Sequence, residues 1–161
     1  MEITLKENDF IVSKTDLKGR ITYGNEIFIR MSGYEEKELL HAPHNILRHK
    51  DMPAVVFKLL WDRLKKNQSI NAYVKNRCKN GDYYWVFANV TPSVDTKGNT
   101  VGYYSVRRQP KATAIRTIEP LYAQLLKNEK ESGVNSSERM LENLLTQQGV
   151  SYDEFIITLQ K

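Results

Sequence analysis

Cysteine, long apolar runs and export signals are all scarce in this sequence. Cys78 is the single cysteine among 161 residues, which excludes an internal disulfide and an all-cysteine metal site. No apolar run approaches the roughly 18 residues that a membrane-spanning helix needs. The opening residues, MEITLKENDF, carry acidic side chains and lack the apolar stretch of a signal peptide. These absences predict a protein of the reducing cytoplasm that does not insert into a membrane.

Sequence motifs for catalysis and nucleic-acid binding are also missing. The sequence contains no P-loop, dinucleotide fingerprint, metal-ligand spacing or Ser/His/Asp series. The net charge is +5, and the excess of cations lies in residues 1–110. That excess could attract an anionic cofactor or an acidic partner. Because no catalytic motif is present, we do not expect an enzyme. Because the lysines alternate with carboxylates and no nucleic-acid motif is present, we do not expect a nucleic-acid-binding protein.

Five segments are rich in β-forming residues and are bounded by turn residues. We expect strands at residues 10–13, 20–23, 70–77, 83–93 and 101–107. Asp16–Gly19 and the Asn80-Gly81 pair have the composition of hairpin turns. Two short helices within residues 25–40 and a longer helix over residues 53–66 separate the two hairpins. This order predicts an α+β fold: a five-stranded antiparallel sheet with helices on one face.

The chain changes character after Gln109-Pro110, where helix-forming residues replace β-forming ones. We expect three further helices, the second beginning after Ser136-Ser137-Glu138 and the third after Ser151, whose spacing to Glu154 matches a capping box. The predicted division is an N-terminal cap at residues 1–8, a sensor domain at residues 9–108 and a helical C-terminal extension at residues 109–161.

The strand at residues 83–93 is apolar on both faces. Tyr84, Val86 and Ala88 alternate with an outer row made of Tyr83, Trp85 and Phe87. The first row is expected to face the core. The outer row requires a cover, and two alternatives stay open: the C-terminal extension folds over it, or it serves self-association or partner contact.

Three segments of the chain resemble one family. VSKTDLKGRITYGNEIF, PHNILRHKDMP and VKNRCKNGDYYWVFANVTP, followed by GYYSVRR, resemble the FAD-binding PAS domains of Aer-type bacterial aerotaxis receptors. The resemblance covers about residues 8–108 and implies the PAS fold. It also implies a homodimeric, FAD-binding redox or energy sensor that signals to a membrane-bound chemotaxis transducer. Because neither anchor nor signalling domain is recognisable, we expect the sensor half of a bipartite energy-taxis system.

The resemblance also implies the residues that contact the cofactor. Asn76 would bond the edge of the flavin ring, Arg48 and His49 would hold the pyrophosphate, and Asp51 would orient them or cap the helix at Pro53. Aromatic residues would pack on the ring, and Asn25 matches the family but also suits a helix cap. The expected cofactor-binding set is Asn25, His44, Arg48, His49, Asp51, Phe57, Trp61, Asn76, Tyr84 and Tyr104, with Tyr84 and Tyr104 both pointing inward.

Three other chemistries are possible for the same fold. A light-sensing flavin adduct needs a cysteine on the helical side of the pocket, whereas Cys78 belongs to a hairpin turn. A haem gas sensor would need an axial histidine, and His49 is the candidate. A small flavin-dependent oxidoreductase would need room for a substrate beside the flavin, and no second domain supplies it.

Overall fold

The computed structural model describes all residues from 1 to 161 and contains the expected five-stranded antiparallel sheet. The strands are β1 (Ile11–Thr15), β2 (Ile21–Gly24), β3 (Ile70–Arg77), β4 (Tyr83–Val94) and β5 (Thr100–Arg108). Their order in the sheet is β2-β1-β5-β4-β3, and every neighbouring pair is antiparallel. Strand β5 therefore lies between the β1–β2 hairpin and the β3–β4 hairpin, and β2 and β3 form the sheet edges.

Local turn chemistry produces both hairpins. Gly19 has a φ of 81° and Gly81 a φ of 94°, values that an L side chain rarely adopts. The Asp16 carboxylate accepts hydrogen bonds from the backbone amides of Lys18 and Arg20, which is the local bonding that favours Asp at the first turn position. Both hairpin predictions are confirmed.

Three helices and a short 3-10 turn (His44–Leu47) pack on the inner face of the sheet. They are α1 (Glu26–Ser32), α2 (Glu36–Leu39) and α3 (Ala54–Lys65). Asn25 caps α1, because its side chain accepts a hydrogen bond from the Phe28 amide at 3.1 Å. The inner core comprises Leu5, Ile11, Ile21, Phe28, Met31, Leu39, Leu47, Cys78, Tyr84, Val86 and Ala88. The N-terminal segment contributes Leu5 and bonds β4 through the Ile3 amide and the Tyr83 carbonyl.

The C-terminal extension packs against the outer face of the sheet. It forms α4 (Ala112–Ser132), α5 (Val134–Gln148) and α6 (Tyr152–Gln160). Its apolar side chains bury Tyr73, Trp85 and Phe87 in a second core with Ile118, Leu121, Tyr122, Leu125, Leu141, Leu145 and Ile156. Of the two alternatives for the outer row, the structure therefore shows the first, and the row is not open to self-association or partner contact while the extension is docked. No helix combines the length and apolar character that crossing a bilayer requires.

One helix boundary in the extension differs from the sequence prediction. Helix α5 begins at Val134, directly after Gly133, rather than after Glu138. Ser137 is not its cap: the buried Ser137 hydroxyl donates to the Leu125 carbonyl at 2.7 Å and ties α5 to α4. The predicted cap of α6 is confirmed, because the Ser151 hydroxyl accepts from the Glu154 amide at 3.1 Å.

Tyrosine hydroxyls of the extension occupy the free edge of β3. Tyr122 donates to the Tyr73 carbonyl at 2.7 Å, and Tyr152 donates to the Asn71 carbonyl at 2.8 Å. Burial raises the pKa of both phenols above the usual range, so they remain donors at neutral pH. The extension therefore covers both the outer face and part of an exposed strand edge, which otherwise favours aggregation.

Candidate ligand cavity

A cavity of about 370 Å³ lies between the inner face of the sheet and α3. Its size falls at the lower end of the range for small-molecule sites, about 300–1,000 Å³. One wall is apolar and belongs to α3, and the opposite wall mixes apolar and polar side chains from the strands. The lining residues are Ser13, Thr15, Lys18, Gly19, Pro43, His44, Asn45, Arg48, Phe57, Leu60, Trp61, Leu64, Val74, Asn76, Ala88, Val90, Tyr103, Tyr104, Ser105 and Arg107.

The polar wall contains a buried cation that has no carboxylate partner. Arg107 is 2% exposed, and its guanidinium donates to the Ser13 hydroxyl at 2.6 Å and contacts His44 Nε2 at 3.4 Å. It also lies over the Phe28 ring, 4.8 Å from the centroid. Burial lowers the pKa of Arg107 to about 10, so the group stays charged at neutral pH. An unpaired buried charge is costly, which indicates a ligand-binding role rather than a stabilising one.

His44 is held neutral beside this cation. Burial, together with the charge of Arg107, lowers the pKa of His44 to about 3. A guanidinium only donates, so His44 Nε2 must be the acceptor and the proton resides on Nδ1. The ring stacks on Phe28 with a centroid distance of 5.8 Å. His44 therefore has a defined tautomer and a fixed ring orientation.

The lowered pKa of His44 predicts a pH dependence of stability. Below about pH 6.5 the unfolded chain binds a proton at His44 while the folded protein does not. The free energy of unfolding therefore decreases as the pH is lowered, by at most about 1.4 kcal/mol per pH unit. Urea unfolding should show that the free energy of unfolding decreases more between pH 7 and pH 5 in the wild type than in His44→Gln. The carboxylates and His49 titrate in both proteins, so their contribution cancels in this comparison. Equal losses in the two proteins would contradict the assignment.

Three buried polar atoms in and behind this wall have no hydrogen-bond partner: Asn76 Nδ2, Tyr84 Oη and Arg107 Nε. Asn76 and Arg107 line the cavity, and Tyr84 lies behind it. Burial raises the pKa of Tyr84 to about 12, an effect that nearby Arg107 and Asn76 partly offset, although Asn76 and Tyr84 form no hydrogen bond of good geometry. Unpaired buried donors are rare, so the wall is suited to a ligand with acceptors along its edge.

Aromatic side chains line both sides of the cavity: Phe57 and Trp61 belong to α3, and Tyr103 belongs to β5. Trp61 and Tyr103 meet edge to face with centroids 5.3 Å apart. The Arg48 guanidinium lies 4.4 Å from the centroid of the Phe57 ring. Lys18 adds a third cation to the lining, after Arg107 and Arg48. The cavity thus combines an apolar slot for a flat ring with cations that suit an anionic group.

The structure brings six of the ten sequence-predicted site residues into the cavity lining: His44, Arg48, Phe57, Trp61, Asn76 and Tyr104. Tyr104 is 36% exposed. Because Tyr103 packs on Trp61, strand alternation turns the Tyr104 ring to the outer face. The expectation that Tyr104 points inward is therefore off by one position, and Tyr103 supplies the inward-facing ring.

The remaining four predicted residues lie outside the lining. Asn25 is occupied as the cap of α1, and its amide also donates to the Phe10 carbonyl at 2.9 Å. Tyr84 belongs to the inner core. His49 and Asp51 sit at the edge of β3, where Asp51 pairs with Lys75 at 3.0 Å.

The segment carrying Arg48, His49 and Asp51 is bound to the edge of β3. Arg48 pairs with Asn76 in an isolated antiparallel bridge, and the His49 amide donates to the Lys75 carbonyl at 3.3 Å. Lys75 lowers the pKa of Asp51. Burial and the same lysine lower the pKa of His49, whose Nδ1 accepts from the Asp51 amide. His49 and Asp51 thus hold the loop that carries Arg48, and Asp51 does not cap α3.

Sequence reasoning missed Ser13, Tyr103 and Arg107. Arg107 lies in the GYYSVRR segment, but Tyr104 was expected to point inward, which by strand alternation turns Arg107 to the other face. In the structure Arg107 faces inward, because β5 lines a polar cavity wall rather than a packed core. The signal available was parity: if Tyr103 faces inward, Ser105 and Arg107 follow on the same face.

Cys78 takes no part in the cavity, and no cluster of metal-binding side chains is present. Cys78 is buried in the inner core, where its thiol donates to the Met31 carbonyl at 3.1 Å and burial raises its pKa to about 11. A thiol in this state is unreactive. No group of three or more His, Cys, Asp or Glu side chains is arranged to hold a metal ion.

Comparison with known families assigns the part of the chain that contains most of the sheet. A family model described as the PAS fold matches residues 21–107, which hold β2 to β5 and most of the cavity lining. The chain belongs to the PAS family. Within this PAS protein, α4, α5 and α6 lie outside the matched residues.

Relatives of this PAS protein include signalling proteins. It is 44% identical over 121 residues to the aerotaxis receptor of Escherichia coli (strain K12), a match that covers 75% of this chain and 24% of the receptor. It is 28% identical over 97 residues to the nitrogen fixation regulatory protein of Klebsiella pneumoniae, which covers 60% of this chain and 20% of that protein. The chain thus spans about a quarter or less of the curated relatives it matches.

Solved structures confirm the predicted fold. A light-oxygen-voltage domain from a study of a flavin analogue superposes with a TM-score of 0.60 at 20% identity, covering 76% of this chain and 86% of that one. The PAS domain of a protein from Colwellia psychrerythraea superposes with a TM-score of 0.57 at 18% identity, covering 62% of this chain and 85% of that one.

Proposed function

We propose that this PAS protein binds FAD non-covalently in the cavity and acts as a redox or energy sensor rather than an enzyme. The observation that carries the proposal is a pair of buried donors without partners, Asn76 Nδ2 and Arg107 Nε, on two residues that line an apolar slot. A flavin ring is flat and apolar on its faces and carries acceptors and a donor along one edge. The light-oxygen-voltage domain of the flavin-analogue study has the same fold, which is consistent with this ligand.

The parts of FAD suit different regions of the cavity. The aromatic wall of Phe57, Trp61 and Tyr103 matches the faces of the ring, and Asn76 and Arg107 match its edge. A cavity of about 370 Å³ does not hold a whole dinucleotide, so the pyrophosphate would lie towards the mouth. Arg48 carries a positive charge that can form charge-assisted bonds there.

Asn76 and its neighbours provide a route from the cavity to the outer face. A bound flavin accepts electrons and protons, which changes the pattern of donors and acceptors along its edge. The Asn76 amide can turn to meet either pattern, because it offers both an oxygen and an NH₂ group. Lys75, the next residue, lies on the outer face 4.4 Å from the Tyr83 ring centroid. A shift of β3 at Asn76 would therefore reach residues beside the C-terminal extension.

We further infer a role in energy taxis, in which a homodimer of the chain signals in the cytoplasm to a membrane-bound chemotaxis transducer. The 44% identity to the aerotaxis receptor supports this assignment. His49 and Asp51 would contribute indirectly, because they hold the loop that carries Arg48. Asn25 would contribute by capping α1, and Tyr84 by packing behind Asn76.

The test is the chromophore of the purified protein. We expect flavin absorption bands, and release of FAD by heat or acid that chromatography distinguishes from FMN. Ala88→Leu should keep the fold but lose the chromophore, since Ala88 is 2% exposed and lines the cavity, where three extra carbons occupy ligand space. A Soret band would favour haem, and no chromophore after FAD supplementation would refute the proposal. NAD(P)H oxidation that a small substrate stimulates would favour an oxidoreductase.

A further inference from the structure

Helix α3 contacts the cavity on one side and the C-terminal extension on the other. One side forms the apolar cavity wall through Phe57, Leu60, Trp61 and Leu64. The other side faces the C-terminal extension, and each extension helix places one acidic side chain on α3. These side chains are Glu129 of α4, Glu138 of α5 and Asp153 of α6.

Glu129 supplies the N-terminal cap that α3 lacks. The residue before the helix is Pro53, and no local side chain caps the first turn. The Ala54 amide instead donates to Glu129 Oε1 at 2.8 Å, across 75 positions of sequence. A carboxylate at this end also interacts favourably with the helix dipole. The cap is therefore present only while α4 is docked.

Two ion pairs hold the rest of the helix. Lys58 Nζ lies 2.7 Å from Glu138 Oε2, and the contact raises the pKa of Lys58. Arg63 meets Asp153 through two nitrogen–oxygen contacts, both of 3.1 Å. The extension thus contacts α3 at its first turn, its middle and its last turn.

We propose that the C-terminal extension is an outer support of the flavin site, and that Glu129 is a positioning residue that acts on the cavity through α3. The inference rests on the proposed flavin function and adds its regulation: docking of the extension and affinity for flavin are coupled. Coupling between two sites is reciprocal. Binding of flavin against α3 therefore tightens the extension, and release of the extension weakens flavin binding.

The first test measures flavin affinity by quenching of flavin fluorescence. Glu129→Ala should weaken binding about 3- to 30-fold, the range expected for loss of a helix cap. Glu131→Ala is the matched control, because Glu131 is an exposed residue of the same helix with the same charge. Glu129→Gln retains an oxygen acceptor for the Ala54 amide and should restore much of the affinity. If Glu129→Ala does not fold, Asp153→Ala, which removes a half-exposed ion-pair partner, should weaken binding in the same direction.

The second test is amide hydrogen exchange in α4, α5 and α6, compared between flavin-loaded and flavin-free wild type. We expect slower exchange in the loaded protein, and a smaller difference in Glu129→Ala. Equal flavin affinity in Glu129→Ala and Glu131→Ala, or exchange that does not depend on flavin, overturns the coupling while the proposed function stands. A wild type that binds no flavin overturns the proposed function and the coupling with it.

Discussion

A chain that ends after Pro110 is expected to aggregate. Removal of the extension exposes Tyr73, Trp85 and Phe87, which are at most 8% exposed in the whole chain. Burial of each large apolar side chain contributes about 1.5–3 kcal/mol, so the loss is comparable with the entire stability of a small domain, about 5–15 kcal/mol. The truncation also leaves the β3 carbonyls of Asn71 and Tyr73 without their tyrosine donors. Size-exclusion chromatography with light scattering measures the outcome.

Cleavage of the intact protein provides the control for this truncation. A protease site inserted between Gln109 and Lys111, both exposed, cuts the chain while the extension stays docked. The cleaved protein should remain soluble and elute as one species. A truncated chain that stays soluble with a native circular-dichroism spectrum and full flavin content would show that the sensor domain does not need the extension, as expected if that segment served only a partner.

Replacement of Arg107 by methionine should separate ligand binding from stability. Loss of a charge-assisted bond costs about 1.5–3 kcal/mol, so flavin affinity should fall roughly 10- to 150-fold. The flavin-free variant should be as stable as the wild type or more stable, because a buried charge without a carboxylate partner is replaced by an unbranched apolar chain. The Ser13 hydroxyl keeps a partner in His44 Nε2 at 3.2 Å.

Arg108→Met is the matched control, since Arg108 is the next residue, is exposed and lies over Phe87 on the outer face. It should bind flavin as the wild type does. Fluorescence titration and urea unfolding of both variants are the measurements. An Arg107→Met protein that is markedly less stable but binds flavin normally would show that Arg107 is a structural residue. The edge of the flavin would then contact other residues of the cavity.

The elements that sequence predicted well are those encoded by neighbouring residues. The turns at Gly19 and Gly81, the caps at Asn25 and Ser151, and the strand pattern of residues 83–93 all depend on interactions within a few positions. The start of α5 was predicted wrongly because Ser137 resembles a local cap, whereas its hydroxyl bonds α4. Local chemistry cannot distinguish a cap from a tertiary contact made by the same side chain.

The candidate site was predicted in part for a similar reason. Asn76, Phe57 and Trp61 were placed in the cavity by family resemblance combined with strand and helix periodicity, and the structure lines the cavity with them. Arg107 was missed because apolar side chains are normally taken as the inward face of a strand, and a buried charge contradicts that rule. That rule fails where the inward face borders a ligand cavity.

By itself, the sequence determined the strands and their turns, because periodicity and turn chemistry act over short distances, and the resemblance of its motifs implied the PAS fold. Only the tertiary structure decided which face of β5 meets the cavity, where His49 and Asp51 lie, and what covers Trp85 and Phe87. Those outcomes depend on contacts between residues that are distant in the chain, such as Ala54 with Glu129 and Ser13 with Arg107. Pairings of this kind leave no periodic signal in one sequence, since each is made by a single side chain whose partner the fold selects.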